Sequence, residues 1–211
     1  MAMEKQMEVE YIGNLDKNQF EELKKKLETE GAFKKRKERI SFMYFKDNIP
    51  KDISEIKDED IDLRLRITNK KPEIIVKKGS FTGAHSRKEI SIVFSMEEIE
   101  TYIDFLSALG WHIGVIYAAE TFVYEYQGIE FSLVAIKDYG YNFEAEILTT
   151  KEDEPNARKK IGSVLKELNL MPFDEDGLNK QCNEINNQKE LRFDFSRQNF
   201  DEFRTKFSDF F

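Results

Sequence analysis

Residues 61–67 read Ile-Asp-Leu-Arg-Leu-Arg-Ile, apolar and charged side chains alternating without a break. A period of two is the signature of a β-strand with one apolar and one charged face. The pattern recurs at Glu8/Glu10, Arg87/Glu89 and Glu144/Glu146. Each pair sets two charges about 6.6 Å apart along one strand face. A chain built this way must give every such strand an apolar neighbour on one side and a polar space on the other.

The remaining elements follow from periodicity and punctuation. Met7–Ile12 is a strand, and Asp16 caps a helix carrying Phe20, Leu23 and Leu27 until Gly31. Residues 33–46 read as a strand, 47–60 as a polar loop, and 73–78 with 87–94 as a hairpin around residues 79–86. Ser95 and Glu98 form a capping box before a helix with Ile99, Tyr102, Ile103 and Leu106, stopped at Gly110. Strands follow at about 113–126, 129–136 and 142–149, then a helix over Glu152–Leu170. Short connections make the sheet mainly antiparallel. The expected fold is α+β: a closed eight-stranded barrel with helices packed outside. Residues 1–170 form this domain and 171–211 a helical extension beside it.

A charged share of 35% with 40% apolar residues suits a soluble globular chain. No apolar run approaches the roughly 18 residues of a membrane span, and the N-terminal residues carry no signal-peptide pattern. The one cysteine, Cys182, allows neither an internal disulfide nor a thiolate metal site, so the cytoplasm is the expected compartment. A net charge of −8 argues against general nucleic-acid binding.

If the sheet closes, its charged faces turn inward into a polar tunnel. Carboxylates gathered there repel unless a hard cation or protons lie between them. Mg²⁺ or Mn²⁺ suits oxygen ligands and shares coordination with phosphates. Arginine matches phosphate oxygens bidentately, and lysine adds a compact charge. A metal-bound polyphosphate fits that chemistry better than a neutral ligand does.

Over residues 5–170 the chain resembles the CYTH superfamily of class IV adenylyl cyclases, thiamine triphosphatases and inorganic triphosphatases. The motifs that carry the resemblance stand in order. An ExExK-like strand is seen as Glu8-Val9-Glu10-Tyr11-Ile12, and an LRxR strand as Leu63-Arg64-Leu65-Arg66. A lysine strand appears at Val76-Lys77-Lys78-Gly79, and an R-x-E return at Arg87-Lys88-Glu89. The closing ExE strand is Phe143-Glu144-Ala145-Glu146. The resemblance implies that Glu8, Glu10, Glu144 and Glu146 hold the metal, with Glu8 and Glu10 catalytic. Arg64, Arg66, Lys77 and Arg87 would grip phosphates, and Glu89 would support them. The implied substrate is a nucleotide, thiamine triphosphate or inorganic polyphosphate, hydrolysed or cyclised.

The departures are equally definite. Ile12 stands where ExExK has lysine, Tyr117 and Ala119 where a KxR strand has its cations, and Val134 where an aspartate is usual. Lys78, Lys137 and Arg39 are the available substitutes. A tunnel that binds a nucleotide or polyphosphate without turning it over is the alternative function. His85 and His112 read as surface or packing residues, and Trp111, after Gly110, as a core residue. Lys34, Lys35, Arg36, Lys37 and Arg39 read as a solvated strand start. Phe200, Phe203, Phe207 and Phe210 recur at helical spacing after Asn199, either packing on the barrel or forming a partner or homodimer surface.

Overall fold

The alternating segment 61–67 lies in a strand over Ile61–Thr68 in which Leu63, Leu65 and Ile67 are buried between half-buried charged neighbours. The structure is a computed structural model, and it describes residues 7–56, 61–78 and 88–211. The chain divides into two compact units, residues 1–37 with 120–178 and residues 38–119 with 179–211. Two of the three cuts fall inside the two longest strands, β2 (Ala32–Phe45) and β6 (Ile113–Tyr126), and the third inside a helix over Glu175–Asn187.

In the first unit, β1 (Met7–Leu15), β8 (Gly140–Thr149), β7 (Ile129–Ile136) and the second half of β6 are hydrogen-bonded in that order, β1 and β7 each antiparallel to β8. Gln127 and Gly128, both with positive φ, make the two-residue β6–β7 turn, the backbone that right-twisted hairpins favour. Val9, Phe131, Leu133, Phe143 and Ala145 turn one way. They meet Phe20, Leu23 and Leu27 of α1 (Lys17–Glu30) and Ile161, Val164 and Leu165 of α3 (Glu154–Glu167). Burying each of these large side chains is worth about 1.5–3 kcal/mol. The opposite face of the same strands is left for the charged residues. The Phe173 amide donates to the Ile12 carbonyl at 2.7 Å, which covers part of the outer edge of β1. Gly13 is needed there, because a Cβ would sit 2.4 Å from the Met171 carbonyl oxygen.

In the second unit, β2 pairs with β3 (Ile61–Thr68), β3 with β4 (Lys71–Lys78), and β4 with β5 (Lys88–Val93), all antiparallel. A short β9 (Arg192–Asp194) pairs with the start of β6. Phe42 and Tyr44 of β2 meet Phe193 and Phe195, and Phe42 also meets Phe200 and Phe203 of α5 (Phe200–Lys206). The phenylalanine stripe is therefore core. The cap is formed as expected, with the Asn199 side chain accepting from the Asp201 amide. Phe207 and Phe210 are buried beyond the helix, in a following turn.

Several expectations are corrected. The capping box at Ser95 and Glu98 heads a 3₁₀ turn, and α2 (Ile99–Ala108) begins after it. The helix expected from Glu152 starts at Glu154, because Pro155 fits the first turn and lacks the N–H an interior position needs. The polar tail holds a helix, α4 (Glu175–Asn187), and a short strand, β9. Ile90 and Ile92, the apolar positions of β5, are 53% and 55% exposed. Among the described residues β5 pairs with β4 alone, so it lacks a neighbour on its other edge. Trp111 is half-buried. The α+β class and mainly antiparallel sheet hold, with nine strands and five α-helices described. Hydrogen bonds among the described residues do not close the sheet into a barrel.

Candidate functional site

The register of the first unit turns scattered glutamates into a row. Glu10 lies directly opposite Glu146, and Glu146 directly opposite Glu130 on the other side. Side chains so paired have Cβ atoms about 4.5–5.5 Å apart, and like charges there repel. Glu8 is one diagonal step from Glu146, since its own partner is Leu148. Glu144 sits one pair further along, opposite Ile12 and Ser132.

The electrostatics follow. The Glu146 carboxyl is pushed from its ordinary 4.5 up to about 7, first by burial and then by Glu8, Glu130 and Glu10, against a lowering pull from Lys37. Lys37 lies in β2, three strands from β8 in the first unit's hydrogen-bonded order. Flat strands would separate them by roughly 14 Å at about 4.8 Å per strand. Among the described residues no group of three Asp, Glu, His or Cys side chains is gathered tightly enough to hold an ion. The glutamates are strung along the row instead, as mutual repulsion requires.

The phosphate-gripping residues suggested by sequence lie in the second unit. Arg64 donates through Nε and Nη2 to the two oxygens of Asp62, both at 2.7 Å. Arg66 donates through Nε to Glu73 at 2.9 Å, its partner in register on β4. Lys77 lies opposite Asp62 on β3 and Glu89 on β5. Cys182, half-buried, feels the Arg64 charge, although burial is the larger influence and raises its thiol pKa. Arg87 and His85 lie outside the described residues, and for Glu89 only the backbone is described. Arg39, weighed as a substitute cation, donates to the Thr68 hydroxyl at 3.1 Å. His112 is paired with Asp194 at 3.1 Å, which ties the start of β6 to β9.

The sequence reading thus brings Glu8, Glu10 and Glu146 together, sets Glu144 beside them, and pairs Arg64 and Arg66 with carboxylates. It missed Glu130, Lys37, Asp62 and Glu73. Glu130 was recoverable from hairpin counting, because a turn at Lys137–Tyr139 fixes every β7–β8 pair. Asp62 was visible in the same alternation as Arg64, two residues away.

No family model and no curated protein matches the chain. Solved structures do. A Pyrococcus horikoshii protein aligns over 84% of this chain and 99% of its own, with 22% identity and a TM-score of 0.62. A Hippeastrum protein, described as a candidate adenylyl cyclase with a dominant triphosphatase activity, aligns over 84% of this chain and 96% of its own, with 12% identity and a TM-score of 0.56. A candidate adenylate cyclase from Vibrio parahaemolyticus aligns over 80% of this chain and 93% of its own, with 14% identity and a TM-score of 0.54. These likenesses establish a shared fold, consistent with the CYTH resemblance of the motifs.

Proposed function

We propose that this chain is a CYTH-type protein that binds a triphosphate compound with Mg²⁺ or Mn²⁺ and hydrolyses it, or cyclises it where it is a nucleotide. The closed tunnel belongs to this proposal. The observation that carries it is the row Glu10–Glu146–Glu130 with Glu8 at its side. Glu146, half-buried and pushed up to about 7, would release its proton when a hard cation arrives.

The residues fit such an ion by donor chemistry: all are hard carboxylate oxygens, as Mg²⁺ and Mn²⁺ prefer. Glu8, Glu10, Glu144 and Glu146 would hold it, with Glu130 within reach of Glu146. A bound divalent cation would neutralise phosphate charge and lower the pKa of coordinated water. Arg64, Arg66 and Lys77, with Arg87, would orient the phosphate chain, and Glu89 would steady a basic neighbour. One of Glu8 and Glu10 would accept the proton of the attacking water.

A second reading has its own support. Ile12 faces Glu144 without supplying a cation, Ala119 is buried, and Val134 is buried opposite Asn142 where a carboxylate is usual. A module that binds nucleotide or polyphosphate and turns it over slowly, or not at all, would look the same. One experiment separates them. The protein is incubated with Mg²⁺ or Mn²⁺ and ATP, thiamine triphosphate or tripolyphosphate, following melting temperature and products. Stabilisation with turnover lost in Glu8→Gln supports the enzyme. Stabilisation without products supports the binding module, and no response to any ligand sinks both.

A further inference from the structure

In the second unit, β5 pairs with β4 alone among the described residues. The Phe94 amide, one residue past β5, donates to the Pro72 carbonyl at 3.2 Å. Backbone groups alternate sides along a strand, so Ile92 and Ile90 also turn theirs toward β4. Glu89, Ser91 and Val93 turn theirs outward, to the open edge. The side chains there are apolar as well, with Ile90, Ile92 and Val93 at 53%, 55% and 69% exposed. Residues 90–93, Ile-Ser-Ile-Val, carry none of the charges or prolines that blunt natural sheet edges.

We propose that this edge pairs antiparallel with the β5 edge of a second copy of the chain, about a two-fold axis at Ser91. The sequence of the strand selects both the partner and the register. With Ser91 opposite its own counterpart, Glu89 lies opposite Val93 and Ile90 opposite Ile92, each pair occurring twice by symmetry. The outward amides and carbonyls of Glu89, Ser91 and Val93 then all find partners, in about six hydrogen bonds. The Ile90–Ile92 pairs fall at the positions between those bonds, where Cα atoms come within about 4.5 Å and side chains touch. Centring the axis on Ile90 instead keeps one isoleucine pair and sets Ile92 against Lys88. A slip of one residue sets outward backbone groups against inward ones and exchanges the faces. The edge is therefore complementary to itself, as a two-fold contact requires. It is only one strand wide, so the dimer is weak and forms with rising concentration. None of this rests on the triphosphate reading.

Sedimentation equilibrium of the full chain over a wide concentration range tests this. The proteins compared are wild type, Ile90→Lys, Ile92→Lys and, as a control, Met171→Lys at a position 82% exposed in the first unit. Wild type and the control should show a reversible monomer–dimer equilibrium, and each β5 lysine should weaken it about ten-fold or more by placing a charge in the isoleucine pairs. The Ser91 and Val93 amides should gain protection from hydrogen exchange as the dimer fills. Ser91→Pro, which removes an outward amide and leaves the ladder to β4 intact, carries the test if the lysine variants fail to fold. A wild type that stays monomeric at every concentration overturns the proposal, and protected Ser91 and Val93 amides in that monomer would show that the same chain covers the edge. A dimer that tolerates these β5 substitutions has its interface elsewhere and overturns it equally.

Discussion

The acidic strands of the first unit and the mixed strands of the second have the same alternation in sequence and opposite electrostatics in structure. In β1, β7 and β8, register stacks Glu10, Glu146 and Glu130 side by side, and the middle carboxyl is driven up to about 7. In β3 and β4, register and i, i+2 spacing give Arg64 and Arg66 a carboxylate each. One face is held together by pairing; the other is held against repulsion by the apolar core behind it. Apolar alternation specifies a face, but the cross-strand neighbour decides whether that face stores or satisfies charge.

The largest expected difference comes from cutting a pair. Arg64→Ala leaves the nearly buried Asp62 without its bidentate partner and should cost about 2 kcal/mol, somewhat below the loss for a fully buried pair. Urea denaturation measures it, and a loss smaller than a few tenths of a kcal/mol would erase the contrast between the faces. Adding Asp62→Asn to that variant should recover much of the loss.

Removing charge from the other face should do the reverse. Glu146 has a folded-state pKa above its unfolded value, so the folded chain binds the extra proton. Stability therefore falls as pH rises from about 4.5 to about 7 and stays reduced above that. Glu146→Gln should flatten this slope and gain about 1 kcal/mol at pH 8, a figure reduced for a half-buried group in contact with solvent. Melting curves between pH 4 and 8 would show it, and an unchanged slope would contradict the repulsion.

The smallest effect isolates Lys37, a cation that Glu146 feels. Lys37→Met should move the titration of Glu146 upward, because an attraction that favours the charged form is lost. A downward shift would mean that Lys37 does not face the glutamates.

Much of this was legible in sequence, and for a physical reason. Strands such as Ile61–Ile67 state their two faces outright, and Asp16 with Gln19 closes the capping box that starts α1. Phe20, Leu23 and Leu27 announced the buried face of α1. What hydropathy could not supply was pairing between distant strands. Glu130 matters only because it faces Glu146, and Ile90 and Ile92 stay exposed because β5 lacks a second neighbour among the described residues. The tail misled for a related reason. Helix α4 is polar apart from Leu178, Cys182 and Ile185, and it is tied to the loop after β2 through bonds such as Asn183 to Asp52 at 2.8 Å.

The acidic row as a metal site is the central claim, and the titration of the Glu146 side-chain carboxyl by carbon NMR tests it most directly. Without divalent metal the midpoint should lie at about 7, and saturating Mg²⁺ should drive it well below that by favouring the carboxylate. A midpoint near the ordinary glutamate value, unmoved by Mg²⁺, would contradict both the repulsion and the metal reading.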